Sequence, residues 1–409
     1  MPDPSSVRYL DRSTPPHLAT LIMVAGLSAL AMNIFLPSLP AMTAYFETDY
    51  AVMQLSVALY LGFNAVLQLF IGPISDRFGR RPVFLWGIIL FILATLGCLY
   101  AQSVEVFLIF RMAQAVIVVG MVLSRAVIRD LVSQEQAASM LGYLTMGMSI
   151  VPMIGPAIGG FLDDAFGWRA NFWLMLWLGA AFLILVWYDV GETAPRKNSS
   201  FRDQVRDYPA LLTSPRFWGY NLAAAFSSGA FFAYLGGAPY VGSTIFGLPP
   251  SELGVYFGAP AIGYFIGNWI SGRYSMRYGI NSMILAGSLC CTVGMVSLLG
   301  FFSVGLQSAF IFFAFMTFVG LGNGLVLPNA TSGMLSVRPQ LAGTASGLGG
   351  SMMLGGGAAL SALAGAVLTE GATAFPLIYI MCATSIAGVG AILFVRWRAA
   401  QLASQHPAE

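Results

Sequence analysis

Long apolar runs alternate with short polar interruptions along nearly the whole chain. A bilayer core about 30 Å thick is crossed by about 20 apolar helical residues. Cutting the runs at charges, prolines and polar clusters predicts twelve spans, near 18–42, 51–72, 82–101, 105–126, 136–161, 169–189, 216–243, 252–272, 281–302, 307–333, 340–368 and 374–396. The longest polar stretch, 192–215, separates six spans from six. The pattern predicts an all-α membrane protein with a tail at 1–17, a six-helix bundle at 18–191, a linker at 192–215, a second six-helix bundle at 216–397 and a tail at 398–409.

Composition agrees with lipid as the main solvent. Charged residues are 9% of the chain and apolar residues 57%, against about 25% charged in an average soluble domain. Glycine fills 46 of 409 positions, as expected where helices pack closely in a membrane. The net charge of +2 follows from topology rather than from a nucleic-acid partner. Every Lys and Arg except Arg111 and Arg169 falls in the tails, the linker or alternate loops, while Glu47, Asp49, Glu105, Asp163, Asp164, Glu252 and Glu370 mark the other side. Basic loops stay cytoplasmic, so both termini are expected there. Arg8 and Arg12 before an apolar run resemble a signal peptide, but the run is long enough to span and is expected to remain. Cys98, Cys290, Cys291 and Cys382 lie inside predicted spans without metal-ligand spacing and read as packing residues.

Gly72-Pro-Ile-Ser-Asp-Arg-Phe-Gly-Arg-Arg81 is a polar island between spans 2 and 3. Displaced by 200 residues, Gly72, Arg77, Phe78 and Gly79 match Gly272, Arg277, Tyr278 and Gly279, and Gly147 and Gly155 match Gly347 and Gly355. Parallel repeats of this kind build transporters that rock two bundles around a midplane site. Gly72 and Gly79 suit a tight reversal and close helix approach, and Asp76 suits a helix N-terminus. Met276 stands where the second copy would need that Asp. Span 5 carries Pro152, Gly155, Pro156, Gly159 and Gly160, predicting a kinked, closely packed hinge; Gly159 and Gly160 alone fit ordinary small-residue packing.

With Arg111-Met-Ala-Gln114 in span 4 and Gly147-x4-Pro152-x2-Gly155-Pro156-x2-Gly159-Gly160 in span 5, these motifs make the chain resemble the major facilitator superfamily. Leu36-Pro-Ser-Leu-Pro40, Gly167-Trp-Arg169, Glu192-Thr193 and Ala342-Gly-Thr-Ala-Ser346 resemble its bicyclomycin/chloramphenicol-resistance branch of twelve-span drug:proton antiporters. The resemblance implies a monomeric exporter of small lipophilic compounds in the bacterial inner membrane, with a proton as coupling ion and no cofactor or metal. It also implies a cytoplasmic gate at Gly72, Asp76, Arg77, Gly79 and Arg80, and a place for Arg111 in the proton and substrate pathway. For Arg80 and Arg81 the positive-inside rule alone is a sufficient explanation.

Arg111 is the charged residue well inside a predicted span, roughly 9 Å below the outer end at 1.5 Å per residue. Such residues are functional by default, although snorkelling is open to it. Gln114 shares its face. Asn33 occupies the place where the branch carries an Asp. An Asp there would pair with Arg111 and titrate, whereas an Asn can hydrogen-bond but carries no proton. Three explanations stay open: an engineered Asp-to-Asn form, a natural facilitator, or an antiporter whose proton rides on substrate or on a helix-end acid. Tyr60, Asn64 and Gln68 form one polar stripe, assigned to a central cavity or to helix-helix hydrogen bonding. Tyr234, with Phe226, Phe231 and Phe232 nearby, suits a flat apolar substrate. Met146, Met148, Met153, Met352 and Met353 suit a deformable wall or ordinary packing. A metabolite transporter of the same fold and a nontransporting sensor or scaffold are the rivals. No catalytic triad, metal cluster or phosphate loop points to an enzyme.

Overall fold

The computed structural model describes residues 8–131, 134–193, 209–338, 341–369 and 371–405. The basic residues of the predicted linker, Arg196, Lys197, Arg202 and Arg206, lie outside them, as do the side chains of Met146 and Met153. All the described regular structure is helical. It comprises α1 (Leu18–Asn33), α2 (Leu39–Tyr45), α3 (Tyr50–Phe78), α4 (Arg80–Tyr100), α5 (Val104–Gln114), α6 (Val119–Leu131), α7 (Gln134–Phe166) and α8 (Arg169–Asp189). There follow α9 (Pro215–Tyr240), α10 (Pro250–Tyr256), α11 (Ala259–Tyr278), α12 (Ile280–Ser303), α13 (Ala309–Val337), α14 (Ala342–Val367) and α15 (Phe375–Gln405). Nine candidate spans among the described residues are long and apolar enough to cross a membrane. These nine do not include α7, α9 and α11.

Polar side chains start several helices by accepting from backbone N–H groups that have no partner in the helix. Ser103 accepts from Val106, Ser214 from Phe217 and Ser308 from Ile311. Gly79 and Gly279 end α3 and α11 with φ of 95° and 78°, backbone values that side chains with a Cβ resist.

Two predicted spans are broken. Span 1 stops at Asn33, passes through a 3₁₀ turn at Leu36–Ser38 and resumes as α2, because Pro37 and Pro40 supply no backbone N–H. Span 4 stops at Gln114 and crosses a second 3₁₀ turn, Ala115–Val118, before α6. Span 5, in contrast, runs unbroken through Pro152 and Pro156.

The chain divides into two compact units. Met1–Asp203 with Pro249–Val255 form the first, and Gln204–Leu248 with Tyr256–Glu409 form the second. Within the first, α7 lies along α1 through small residues. Gly147 meets Ile22, Gly26 meets Val151, Gly155 meets Leu30 and Gly159 meets the Ile34 carbonyl, each contact four residues beyond the last on both helices. At the same end Gly160 meets the Pro250 carbonyl and Gly254 the Pro156 carbonyl, which seats residues 249–255 on the first unit. Within the second, Gly263, Gly267, Gly320 and Gly324 bring the backbones of α11 and α13 together. A further core gathers around Phe217, Tyr220, Ile284, Val326 and Ile392.

Candidate functional site

The breaks in spans 1 and 4 lie next to one buried cation. Arg111 is 1% exposed. Its guanidinium carbon stands 4.2 Å from the centre of the Phe35 ring and 4.1 Å from that of Tyr60. Desolvated contacts of this type are worth about 2 kcal/mol or more. Because α1 ends at Asn33, the Ala31 carbonyl lies in a last turn whose carbonyls need outside donors. The Arg111 Nη2 donates to it at 2.7 Å. Nη1 donates to Gln114 Oε1 at 2.9 Å, Gln114 Nε2 donates to Thr95 Oγ1 at 2.8 Å, and Thr95 donates to the Phe91 carbonyl. Thus α1, α3, α4 and α5 each contribute to holding one charge, and among the described residues no carboxylate pairs with it within hydrogen-bonding range.

Asn33, 1% exposed, does not bond to Arg111. Its amide turns back onto the Ala29 carbonyl at 3.1 Å, since a short polar side chain near a helix end reaches its own backbone first. Three polar atoms here are buried without a hydrogen-bond partner: Asn33 Oδ1, Arg111 Nε and the Tyr60 hydroxyl. Along α3, Asn64 accepts from Gln68 Nε2 at 2.8 Å, so the predicted stripe is partly satisfied within its own helix.

The polar island resolves into parts with different jobs. Arg80, 8% exposed, binds Asp76 at 2.6 Å and Asp130 at 3.0 Å, and also reaches the Ser75 hydroxyl. The Glu192 carboxylate accepts from the Arg80 and Arg81 backbone N–H groups at the start of α4. Arg77 is exposed, against the ring of Phe78, and stands apart from the Arg80 cluster. Gly72 lies inside α3 with open space around it, so the reversal belongs to Gly79 alone. In the second unit, Met276 is 99% exposed where the matching Asp would be.

Tyr234 belongs to the second unit. It is buried, with its hydroxyl unpartnered, among Phe231, Phe257 and Phe313 at centroid distances of 6.3, 5.0 and 6.2 Å. Phe232 instead covers Gly357. Met352 accepts from the Asn221 amide, and Met353 packs on the core of its unit. Pro152 is half-buried, while Gly155, Pro156 and Gly159 are buried on α7. Among the described residues, no three of His, Cys, Asp and Glu gather to hold a metal.

Reading the sequence missed Phe35, Thr95 and Glu192 as site or motif partners. Phe35 directly precedes the Leu36–Pro40 motif, and Glu192-Thr193 had been singled out without a role, so only those two left a signal.

Residues 21–362 match the model of the Major Facilitator Superfamily. The chain is 29% identical to the bicyclomycin resistance protein homolog of Haemophilus influenzae, covering 95% of this chain and 98% of that one. It is 31% identical to multidrug resistance protein D of Escherichia coli, over 85% and 88% of the two chains. In structure it is similar to a bacterial homolog of the human lysosomal transporter Spinster in an inward-facing and occupied conformation, with a TM-score of 0.73 at 18% identity over 93% and 96%.

Proposed function

Because the chain belongs to the Major Facilitator Superfamily, we propose that it exports small lipophilic antimicrobial compounds across the bacterial inner membrane, by alternating access and in exchange for protons. The reading takes twelve spans, cytoplasmic termini and a monomer. Relatives named for bicyclomycin and multidrug resistance support the cargo class. The single observation that carries it is the buried Arg111 held between Phe35 and Tyr60. Aromatic faces suit a flat apolar compound, and the unpartnered Arg111 Nε, Asn33 Oδ1 and Tyr60 hydroxyl offer donors and an acceptor to orient it. Exchanging these groups between protein and substrate partners would couple binding to movement of the broken spans 1 and 4. The Arg80 cluster with Asp76 and Asp130 would brace the cytoplasmic end.

One observation favours a proton-independent facilitator instead: Asn33 cannot titrate. Purified protein in vesicles carrying an imposed pH gradient separates the two readings. Radiolabelled chloramphenicol should accumulate against its own gradient when the pH gradient is present and only equilibrate when it is absent. Flux indifferent to the gradient, both here and in Asn33→Asp, would leave a facilitator.

A further inference from the structure

Antiport needs a group that binds a proton in one state and loses it in another, and the Arg111 site holds none. Asp163 near the end of α7 has the required setting. It is only 8% exposed, beyond the apolar stretch of its helix, and its Oδ2 is buried without a hydrogen-bond partner. The Ser38 hydroxyl lies near the carboxylate and favours its charged form. Ser38 also accepts from Asn171 Nδ2 at 3.0 Å, and that amide reaches the Gly159 carbonyl at 3.2 Å. Asn171 Oδ1 is likewise buried and unpartnered. Two buried carbonyl-type oxygens here thus lack a donor, and one proton on Asp163 would turn its unpaired acceptor into a donor.

Among the described residues, the surrounding charges give it no cation. On its own helix Asp164 is adjacent and acts on it with like charge. The Leu36–Ser38 turn and α1 carry no charged residue. From α8 comes Arg169, whose guanidinium is bound to the Leu99 carbonyl and the Tyr45 hydroxyl. The charges of α6, namely Arg125, Arg129 and Asp130, adjoin the start of α7 rather than its end. From α10 comes Glu252, a further acid. Burial raises the Asp163 carboxyl pKa; the Ser38 hydrogen bond opposes this and the Asp164 charge adds to it.

We propose that Asp163 is the residue that takes up and releases the coupling proton, an assignment that rests on the antiport reading above. The buried arrangement shifts the balance toward the neutral acid. Any state that admits water to the carboxyl favours its ionised form, so the conformational change itself moves the proton. The link to cargo is short. Phe35, against Arg111, and Ser38, against Asp163, lie on the same break of span 1. On the other side, Asp164 accepts from the Ser251 backbone N–H at 3.1 Å, and Gly160 meets Pro250. Protonation thus acts where α7, the span 1 break and α10 meet within the first unit.

Two measurements test this. Infrared titration of the purified protein should show the carbonyl band of a protonated buried carboxyl, absent in Asp163→Asn, displaced in Asp163→Glu and unchanged in Asp164→Asn. In vesicles, Asp163→Asn should lose gradient-driven chloramphenicol uptake by at least about tenfold while keeping gradient-free exchange of labelled for unlabelled chloramphenicol. Asp163→Glu should retain driven uptake with a displaced pH midpoint. If the parent protein ignores the gradient, the antiport reading falls and takes Asp163 with it. If the parent responds and Asp163→Asn responds equally, the Asp163 assignment alone is wrong. Should Asp163→Asn fail to fold, an unmoved band and midpoint in Asp163→Glu would overturn the assignment.

Discussion

Arg111 lies against two aromatic rings and donates through separate nitrogens to an amide and a carbonyl oxygen, an arrangement that fits a flat fork and not a round ammonium. Arg111→Lys keeps the charge but cannot fill both rings and both acceptors. Export should therefore fall by at least about tenfold, or about 1.4 kcal/mol, in drug-accumulation assays, with membrane abundance largely kept. Export equal to the parent would mean that charge alone suffices. The charge was legible in the sequence because a lone Arg in an apolar run has few readings. Its cage was not. Phe35 is one of 30 phenylalanines, and only folding shows that the break of span 1 turns its ring onto the guanidinium. Asp163 was hidden for the opposite reason: hydropathy ends a span at the first acids, and it does not show that one of them turns inward.

At the scale of elements, glycine has two unlike uses in the conserved-looking motifs. A Cβ on Gly159 would run into the Ile34 backbone carbonyl, which cannot rotate away, whereas a Cβ on Gly72 would meet nothing. Overpacking of this type costs about 1–3 kcal/mol. Gly159→Ala should accordingly lower the thermal midpoint of the purified protein and weaken export, while Gly72→Ala should leave the midpoint unchanged. Equal midpoints in the two variants would show that the α1 and α7 contact yields without cost. The small-residue motif of span 5 was readable as close packing, and its partner, stepping along α1 four residues at a time, was not. Periodicity describes one helix face and does not name the helix that will cover it. Proline in span 5 reads as a kink, yet α7 runs unbroken through Pro152 and Pro156 while span 1, read as one run, breaks at Pro37 and Pro40.

At the scale of the molecule, the alternation of basic and acidic loops predicts a topology that labelling can check. In a background with the four cysteines replaced, Val304→Cys and Met276→Cys place thiols at positions 74% and 99% exposed, at helix ends assigned to opposite sides. An impermeant maleimide added to whole cells should modify Val304→Cys at once and Met276→Cys only after the membrane is opened; the reverse order would invert the topology. Helical class and family were legible because several motifs fall at fixed places over most of the chain. The membership of residues 249–255 in the first unit was not, since it depends on glycine contacts between distant segments. A similar long-range tie bears on how the protein is made. The fully buried carboxylate of Asp189 accepts from the backbone N–H groups of Leu10 at 2.7 Å and His17 at 3.0 Å. At about 5–20 residues per second on the ribosome, the acceptor emerges roughly 10–35 s after the donors. During that interval the segment before α1 lacks this anchor, which only the end of the sixth span supplies.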